Sequence, residues 1–305
     1  MTLRFEGTFT ALVTPFKDDL SIDWDAFDEL VEGQSAAGVQ GIVPCGTTGE
    51  SPALDHEEQL ELVKRCVKLA KRPRGVGTGQ GDECIVLAGT GTNSTRSTIH
   101  ASQAAVRAGA DAVMVVVPYY NKPTQEGLRQ HYVDVAAAVD VPIVVYNIPG
   151  RTGIDLATDT LARICEKASN VVAVKEATGN VLRAQEIVRT MGSRISVLSG
   201  DDALTLPMIS VGARGVISVT SNLYPAEVTR TTRLALDGKL EEARREHLAL
   251  CPVHEVMFVE ANPSPVKAAL AHKGRMKDVV RGPLARASEP ARAKVLAAVK
   301  AYEAR

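Results

Sequence analysis

A lysine at the end of a short β-branched run is the residue in this sequence that most directly implies chemistry. Lys175 follows Val171-Val172-Ala173-Val174. Burying an ammonium is costly, so a lysine seldom sits on a buried strand without a task. Burial disfavours the charged form of a lysine, and a neutral amine attacks carbonyl carbon. Lys175 is therefore a candidate Schiff-base nucleophile toward a carbonyl compound. The alternative is a strand that stops one residue early and leaves Lys175 in solvent.

Other residues at the ends of apolar runs could serve such a lysine. Tyr146 closes Ile143-Val144-Val145, and its phenol could pass protons during imine formation; the plainer reading is a tyrosine with a satisfied hydroxyl. Gly46-Thr47-Thr48-Gly49-Glu50 combines small residues, which let backbone N–H groups approach an anion, with two hydroxyls, or else is an ordinary turn. Arg151, in Pro149-Gly150-Arg151-Thr152-Gly153, could hold a carboxylate with both arms of its guanidinium, although a loop arginine more often faces solvent. Tyr119 and Tyr120 in Pro118-Tyr119-Tyr120-Asn121 suit packing or an interface. Gly200-Asp201-Asp202 offers two carboxylates that are more simply a helix N-cap than a metal site. The six histidines, at 56, 100, 131, 247, 254 and 272, have no metal-ligand or triad spacing.

These residues need elements to position them. Ala37-Gly38-Val39-Gln40-Gly41-Ile42-Val43 resembles Ala108-Gly109-Ala110-Asp111-Ala112-Val113-Met114, and both resemble Val211-Gly212-Ala213-Arg214-Gly215-Val216-Ile217. Each reads as a helix end, a glycine stop and a short buried parallel strand. Extending the pattern predicts strands near 8–13, 40–45, 84–89, 112–117, 142–147, 171–175, 195–199 and 215–219, about the number that closes an α/β barrel. Helices lie between them. Asp55 with Glu58 opens 55–71 as a capping box, Thr124 precedes 125–139, and Pro225 opens another. The fold class is therefore α/β: a (β/α)8 barrel over residues 1–238, with an open doubly wound sheet as its competitor. Residues 239–305 read as a C-terminal helical extension, broken near Pro263, Pro265, Pro283 and Pro290, with no chemical signal of its own. Each candidate site residue then stands where barrel enzymes place theirs, beyond the C-terminal end of a strand.

Composition excludes several classes. The 305 residues carry 35 basic and 36 acidic side chains, so no basic excess points to nucleic acid or a membrane surface. Aromatic residues are 4%, too few for a base-stacking platform. Five scattered cysteines without a C-x-x-C pair argue against a disulfide framework or a zinc site and for a reducing compartment. With no signal-peptide pattern and no apolar stretch near ~18 residues, a cytoplasmic protein is expected. The glycine-rich 72–83 segment lacks the Gly-Lys-Ser/Thr of a phosphate cradle and reads as a surface loop.

The motifs Gly46-Thr47-Thr48-Gly49-Glu50-Ser51, Pro118-Tyr119-Tyr120-Asn121-Lys122-Pro123, Tyr146-Asn147-Ile148-Pro149-Gly150-Arg151-Thr152-Gly153, Val174-Lys175-Glu176-Ala177-Thr178-Gly179-Asn180, Leu198-Ser199-Gly200-Asp201-Asp202 and Gly215-Val216-Ile217-Ser218-Val219 resemble the dihydrodipicolinate synthase (4-hydroxy-tetrahydrodipicolinate synthase) family. Their order and spacing fit along nearly the whole chain. Single motifs are shared with N-acetylneuraminate lyase and 2-keto-3-deoxygluconate aldolase; the Thr47-Thr48 pair with Arg151 favours the synthase. The resemblance implies a Schiff base between Lys175 and pyruvate, with Tyr146 as proton donor and acceptor and Thr47 and Tyr120 completing a hydroxyl relay. It implies that Thr48, Ile217 and Gly200 contact substrate and that Arg151 holds the carboxylate of L-aspartate 4-semialdehyde. It further implies no metal or organic cofactor, and a homotetramer in which Tyr120 reaches across a subunit interface. The rivals are another pyruvate aldolase of the same fold, a non-catalytic 2-oxo-acid-binding barrel and a phosphate-binding barrel isomerase. One departure bears on regulation. Where lysine-inhibited members carry a glutamate this chain has Ser97, and where some carry a second histidine it has Gln59, although His56, Asn93 and Tyr119 match that pocket. Weak or absent lysine feedback is expected.

Overall fold

The computed structural model describes residues 3–70 and 84–305, so the glycine-rich 72–83 segment lies outside the described residues. Eight parallel strands close on themselves in sequence order, β1 pairing with β8. They are β1 (Gly7–Ala11), β2 (Gly41–Val43), β3 (Ile85–Gly89), β4 (Ala112–Val116), β5 (Ile143–Asn147), β6 (Val171–Glu176), β7 (Ser196–Ser199) and β8 (Gly215–Ser218). The helices between them are α1 (Trp24–Ala36), α2 (His56–Ala70), α3 (Thr95–Arg107), α4 (Gln125–Ala137), the single turn α5 (Pro149–Thr152), α6 (Thr158–Lys167), α7 (Val181–Met191) and α8 (Thr205–Ser210). After β8 come α9 (Pro225–Leu236), α10 (Leu240–Val256), α11 (Ser264–His272) and α12 (Glu289–Glu303). A closed barrel replaces the open sheet that the sequence left as competitor, and each strand falls within two or three residues of its expected span.

Local chemistry accounts for the punctuation. Gly38, Gly109 and Gly212, the stops of the repeated motif, have φ of 79°, 96° and 105°, where a Cβ would be strained. The capping box at α2 is reciprocal: the Glu58 N–H donates to Asp55 Oδ1 (2.8 Å) and the Asp55 N–H to Glu58 Oε2 (3.1 Å). Thr124 caps α4 through the Gly127 N–H at 3.2 Å. The barrel seam needs a missing side chain, because a Cβ on Gly215 would stand 2.0 Å from the Gly7 carbonyl oxygen.

Alternation along the strands separates two cores. Phe9, Val43, Leu87, Met114, Val144, Ala173, Leu198 and Ile217 fill the barrel, and Phe5 stacks on Phe9 at 5.9 Å near the N-terminal ends of the strands. Residues of opposite parity, such as Ile143, Val145, Val171, Val174 and Val197, face the surrounding helices. None of the five cysteines, all of them described, forms a disulfide. No helix among the described residues is long and apolar enough to cross a membrane.

The C-terminal segment folds back on the barrel. Helix α10 packs on α9 and α12, and α11 on α12. Pro263 immediately precedes α11, while Pro265 and Pro290 fall in the first turns of α11 and α12, where a missing N–H is harmless. Pro252, inside α10, had no counterpart in the sequence reading.

Candidate active site

The register between β5 and β6 sets the centre of the site. Ile143 pairs with Val171, but Val144 pairs with Ala173, so β6 carries one extra residue. This bulge brings Tyr146 level with Lys175; an unshifted ladder would have set it against Val174, which faces the helices. Lys175 shares the inward parity of Ala173, is 5% exposed, and places Nζ 4.1 Å from the centroid of the Tyr146 ring. The strand continues through Glu176, which overturns the alternative of an early strand end and a solvated lysine. An amine and an aromatic hydroxyl-bearing ring thus stand side by side at the C-terminal end of the barrel.

The following pair in the register, Asn147 opposite Glu176, locks these strand ends. Asn147 Nδ2 donates to Asp155 Oδ1 (2.8 Å) and Glu176 Oε2 (3.2 Å), while its Oδ1 accepts the Leu156 N–H (3.1 Å). Asp155 is held in turn by Arg183 (2.5 Å). Burial pushes the Glu176 carboxyl up, against hydrogen bonds from Thr178 and Asn147 that pull it down. Such a satisfied polar network fixes geometry in a low-dielectric setting.

The turn after β2 supplies the hydroxyls. Its backbone closes on itself, with Gly49 and Ser51 N–H groups donating to the Gly46 carbonyl (3.1 and 3.3 Å) and Glu50 N–H to the Thr47 carbonyl (3.1 Å). Cys45 and Glu50 at its two ends both have φ of 57°, a conformation that costs a non-glycine residue energy and persists only where surroundings enforce it. Thr48 is buried and accepts a hydrogen bond from Asn262 Nδ2 at 3.0 Å. The Asn262 carbonyl accepts from Arg151 Nη2 at 3.4 Å. Asn262 lies between α10 and α11, so the segment read from sequence as chemically silent reaches two of the candidate residues.

A cavity of about 400 Å³ opens over this arrangement, lined among others by Thr47, Tyr146, Arg151, Tyr119 and Cys45. The Cys45 thiol is pushed up to about 12 by burial, which keeps it protonated and inert as a nucleophile. Ile217 belongs to the apolar inner face of the barrel together with Tyr146. Gly200 follows β7, its N–H donating to the Glu176 carbonyl (2.8 Å); a Cβ there would lie 2.5 Å from the Ala177 methyl. Of the candidate residues Thr47, Tyr146 and Arg151 line the cavity, and Lys175, Thr48, Gly200, Ile217 and Tyr120 do not; Tyr120 stands apart from the rest, 88% exposed with φ of 72°. Within one chain the fold sets Lys175 against Tyr146, Tyr146 beside Thr47 and Arg151 around one cavity, and Thr48 and Arg151 on Asn262, and leaves Tyr120 exposed.

The two aspartates after β7 are structural. Asp201 caps the 3-10 helix Asp202–Leu204 through the Ala203 N–H (3.0 Å). Asp202, buried, accepts from the Ser218 hydroxyl and from the N–H groups of Val219 (2.9 Å) and Thr220 (3.2 Å). Among the described residues no three His, Cys, Asp or Glu side chains gather as a metal site.

Lysine and tyrosine on adjacent strand ends, hydroxyls on the second βα turn and an arginine over the same cavity define a (β/α)8 barrel of the class I aldolase type. Comparison with known proteins narrows this class. The model of the dihydrodipicolinate synthetase family matches residues 4–302, and the chain belongs to that family. It is 54% identical over 304 residues, 99% of this chain and 98% of the relative, to the 4-hydroxy-tetrahydrodipicolinate synthase of Sorangium cellulosum. The solved structure of the 4-hydroxy-tetrahydrodipicolinate synthase from Methylacidiphilum fumariolicum SolV superposes with a TM-score of 0.93 at 43% identity, covering 99% of this chain and 97% of that one. Dihydrodipicolinate synthase from Aquifex aeolicus gives 0.92 at 43% identity, covering 98% of each chain.

Proposed function

We propose that the chain condenses pyruvate with L-aspartate 4-semialdehyde to 4-hydroxy-tetrahydrodipicolinate, releasing one water, as a step of diaminopimelate and lysine biosynthesis. The observation that carries this reading is the Lys175–Tyr146 juxtaposition beside a cavity that Thr47 and Arg151 also line. The Lys175 amine adds to C2 of pyruvate, and water leaves to give the imine. Loss of a C3 proton gives an enamine, whose C3 attacks the aldehyde carbon. The amino group of the second substrate then adds to the imine carbon and expels Lys175, closing the ring. Tyr146 accepts and returns protons in these steps, with Thr47 and Tyr120 as the rest of the relay. The imine itself is the electron sink, so the chemistry needs no further cofactor.

Binding divides between two anion sites. Thr48, Ile217 and Gly200 surround the pyruvate, and Arg151 holds the carboxylate of the semialdehyde with its two-pronged guanidinium. Arg151→Ala is expected to lower kcat/KM for the semialdehyde by about 10²- to 10³-fold, the loss of a charge-assisted bidentate contact, while pyruvate is still trapped on Lys175 by borohydride. Equal losses for both substrates would remove Arg151 from this role. A different aldolase of the same fold would keep Lys175 and Tyr146 but be indifferent to Arg151 with this aldehyde.

The same reading makes the working enzyme a cytoplasmic homotetramer, a pair of dimers. Tyr120 supports it: an exposed tyrosine held at positive φ suits a side chain that completes a neighbour's site. L-Lysine is expected to leave the activity unchanged at micromolar concentration. The groove formed by His56, Gln59, Arg96, Ser97 and His100 has no carboxylate among its lining residues to pair the effector's ammonium. Gln59 is itself engaged with the Ser51 carbonyl at 3.0 Å. Inhibition of the steady-state rate by micromolar lysine would contradict this.

A further inference from the structure

Lys267 is a second buried lysine, and the reaction steps above do not use it. It lies on α11 with a fully buried side chain. Its Nζ forms an ion pair with Glu50, both side chains being 0% exposed, donates to the Val279 carbonyl (2.8 Å), and stands 4.3 Å from the centroid of the Phe16 ring. The second carboxylate oxygen of Glu50 accepts the Arg281 N–H at 2.9 Å. Burial pulls the Lys267 ammonium down to about 8, against the opposing pull of Glu50.

The position of Glu50 gives this pair its consequence. Glu50 ends the turn that carries Thr47 and Thr48, and its backbone is held in the left-handed region. The middle of the same turn is held by Asn262 on Thr48. Arg281 also grips the helix that follows, bonding both oxygens of Glu58 at 2.6 Å and the Ala53 carbonyl at 2.9 Å. Residues 262–281 thus clamp the turn in its middle, at its end and beyond. A buried ion pair is weak evidence for stability, since apolar residues of like volume often serve as well; what it supplies is a directional tie between two fixed points. We propose that Glu50 and Lys267 are positioning residues, which hold the Gly46–Glu50 turn so that the Thr47 and Thr48 hydroxyls face bound pyruvate. This rests on the roles given to Thr47 and Thr48 above.

The test uses the full chain and the double variant Glu50→Gln/Lys267→Met, which removes both charges and leaves neither buried alone. Pyruvate dependence is read from borohydride trapping on Lys175, which needs no second substrate, so it stands even if the semialdehyde assignment fails. Half-saturating pyruvate is expected to rise about tenfold or more, in variant protein whose melting temperature and circular dichroism confirm a folded barrel. In the coupled assay KM for the semialdehyde should rise less than the pyruvate requirement, because neither Glu50 nor Lys267 touches Arg151, which meets this segment only at the Asn262 carbonyl. Unchanged pyruvate dependence in the folded double variant would overturn the proposal, whatever its melting temperature. Should that variant not fold, Glu50→Asp keeps the charge but shortens its reach. A raised pyruvate requirement there supports the proposal, and a wild-type requirement overturns it.

Discussion

Lys175→Ala is expected to abolish borohydride-dependent attachment of pyruvate and to lower kcat on the order of 10⁴-fold or more, the scale on which loss of a covalent nucleophile is felt. The reason is geometric as well as chemical. Lys175 is 5% exposed, and its Nζ lies 4.1 Å from the centre of the Tyr146 ring. Tyr146, which it touches, lines the cavity. The other buried lysine described, Lys267, is tied to Glu50 and the Val279 carbonyl. Truncation removes one long side chain from the barrel mouth without disturbing Val174 or Ala173, so the variant should fold. Mass spectrometry after reduction settles the outcome: an adduct that persists in Lys175→Ala at wild-type yield would mean that another amine is the nucleophile.

Tyr146→Phe should lower kcat by about 10²- to 10⁴-fold, the usual worth of a positioned proton-transfer group. The substitution keeps the aromatic ring that packs beside Lys175 and within the inner face formed with Ile217 and Val144, so stability and barrel geometry are preserved. Because the phenol is assigned to proton transfer and the amine to bond formation, the two variants should differ in kind. Pyruvate trapping should slow in Tyr146→Phe yet reach completion, while in Lys175→Ala it fails altogether. A Tyr146→Phe enzyme within a few-fold of wild type would assign the proton transfer elsewhere, with Tyr119, which lines the same cavity, the next residue to test.

Much of this arrangement is legible in the sequence because it is local. Gly38, Gly109 and Gly212 report a backbone that only glycine adopts cheaply, and the strand after each follows from β-branched runs. Asp55 and Glu58 announce the start of α2 three residues apart, as a capping box must. Lys175 stands out because its type conflicts with its neighbours. Contacts between distant residues leave no such mark. The extra residue in β6 that sets Tyr146 against Lys175 is a matter of pairing, and nothing in Val171-Val172-Ala173 signals it. Asn262 meets Thr48 across 214 positions, and Lys267 meets Glu50 through a helix whose sequence is mostly small and apolar. A buried lysine in Ser264–His272 was available as a signal, of the same kind as Lys175, but a helix offered no strand end against which to read it. Tyr120 lies in the loop after β4, as its motif predicts, and its 88% exposure there is a property of the whole loop that no residue type announces.

The condensation is observed by mixing the protein with pyruvate and L-aspartate 4-semialdehyde and following product through an NADPH-dependent dipicolinate reductase. Rapid NADPH consumption that requires both substrates, and that is lost in Lys175→Ala, is the expected result. No turnover from a wild-type enzyme that still traps pyruvate with borohydride would contradict it, leaving the barrel and its lysine but giving the second substrate to another aldehyde.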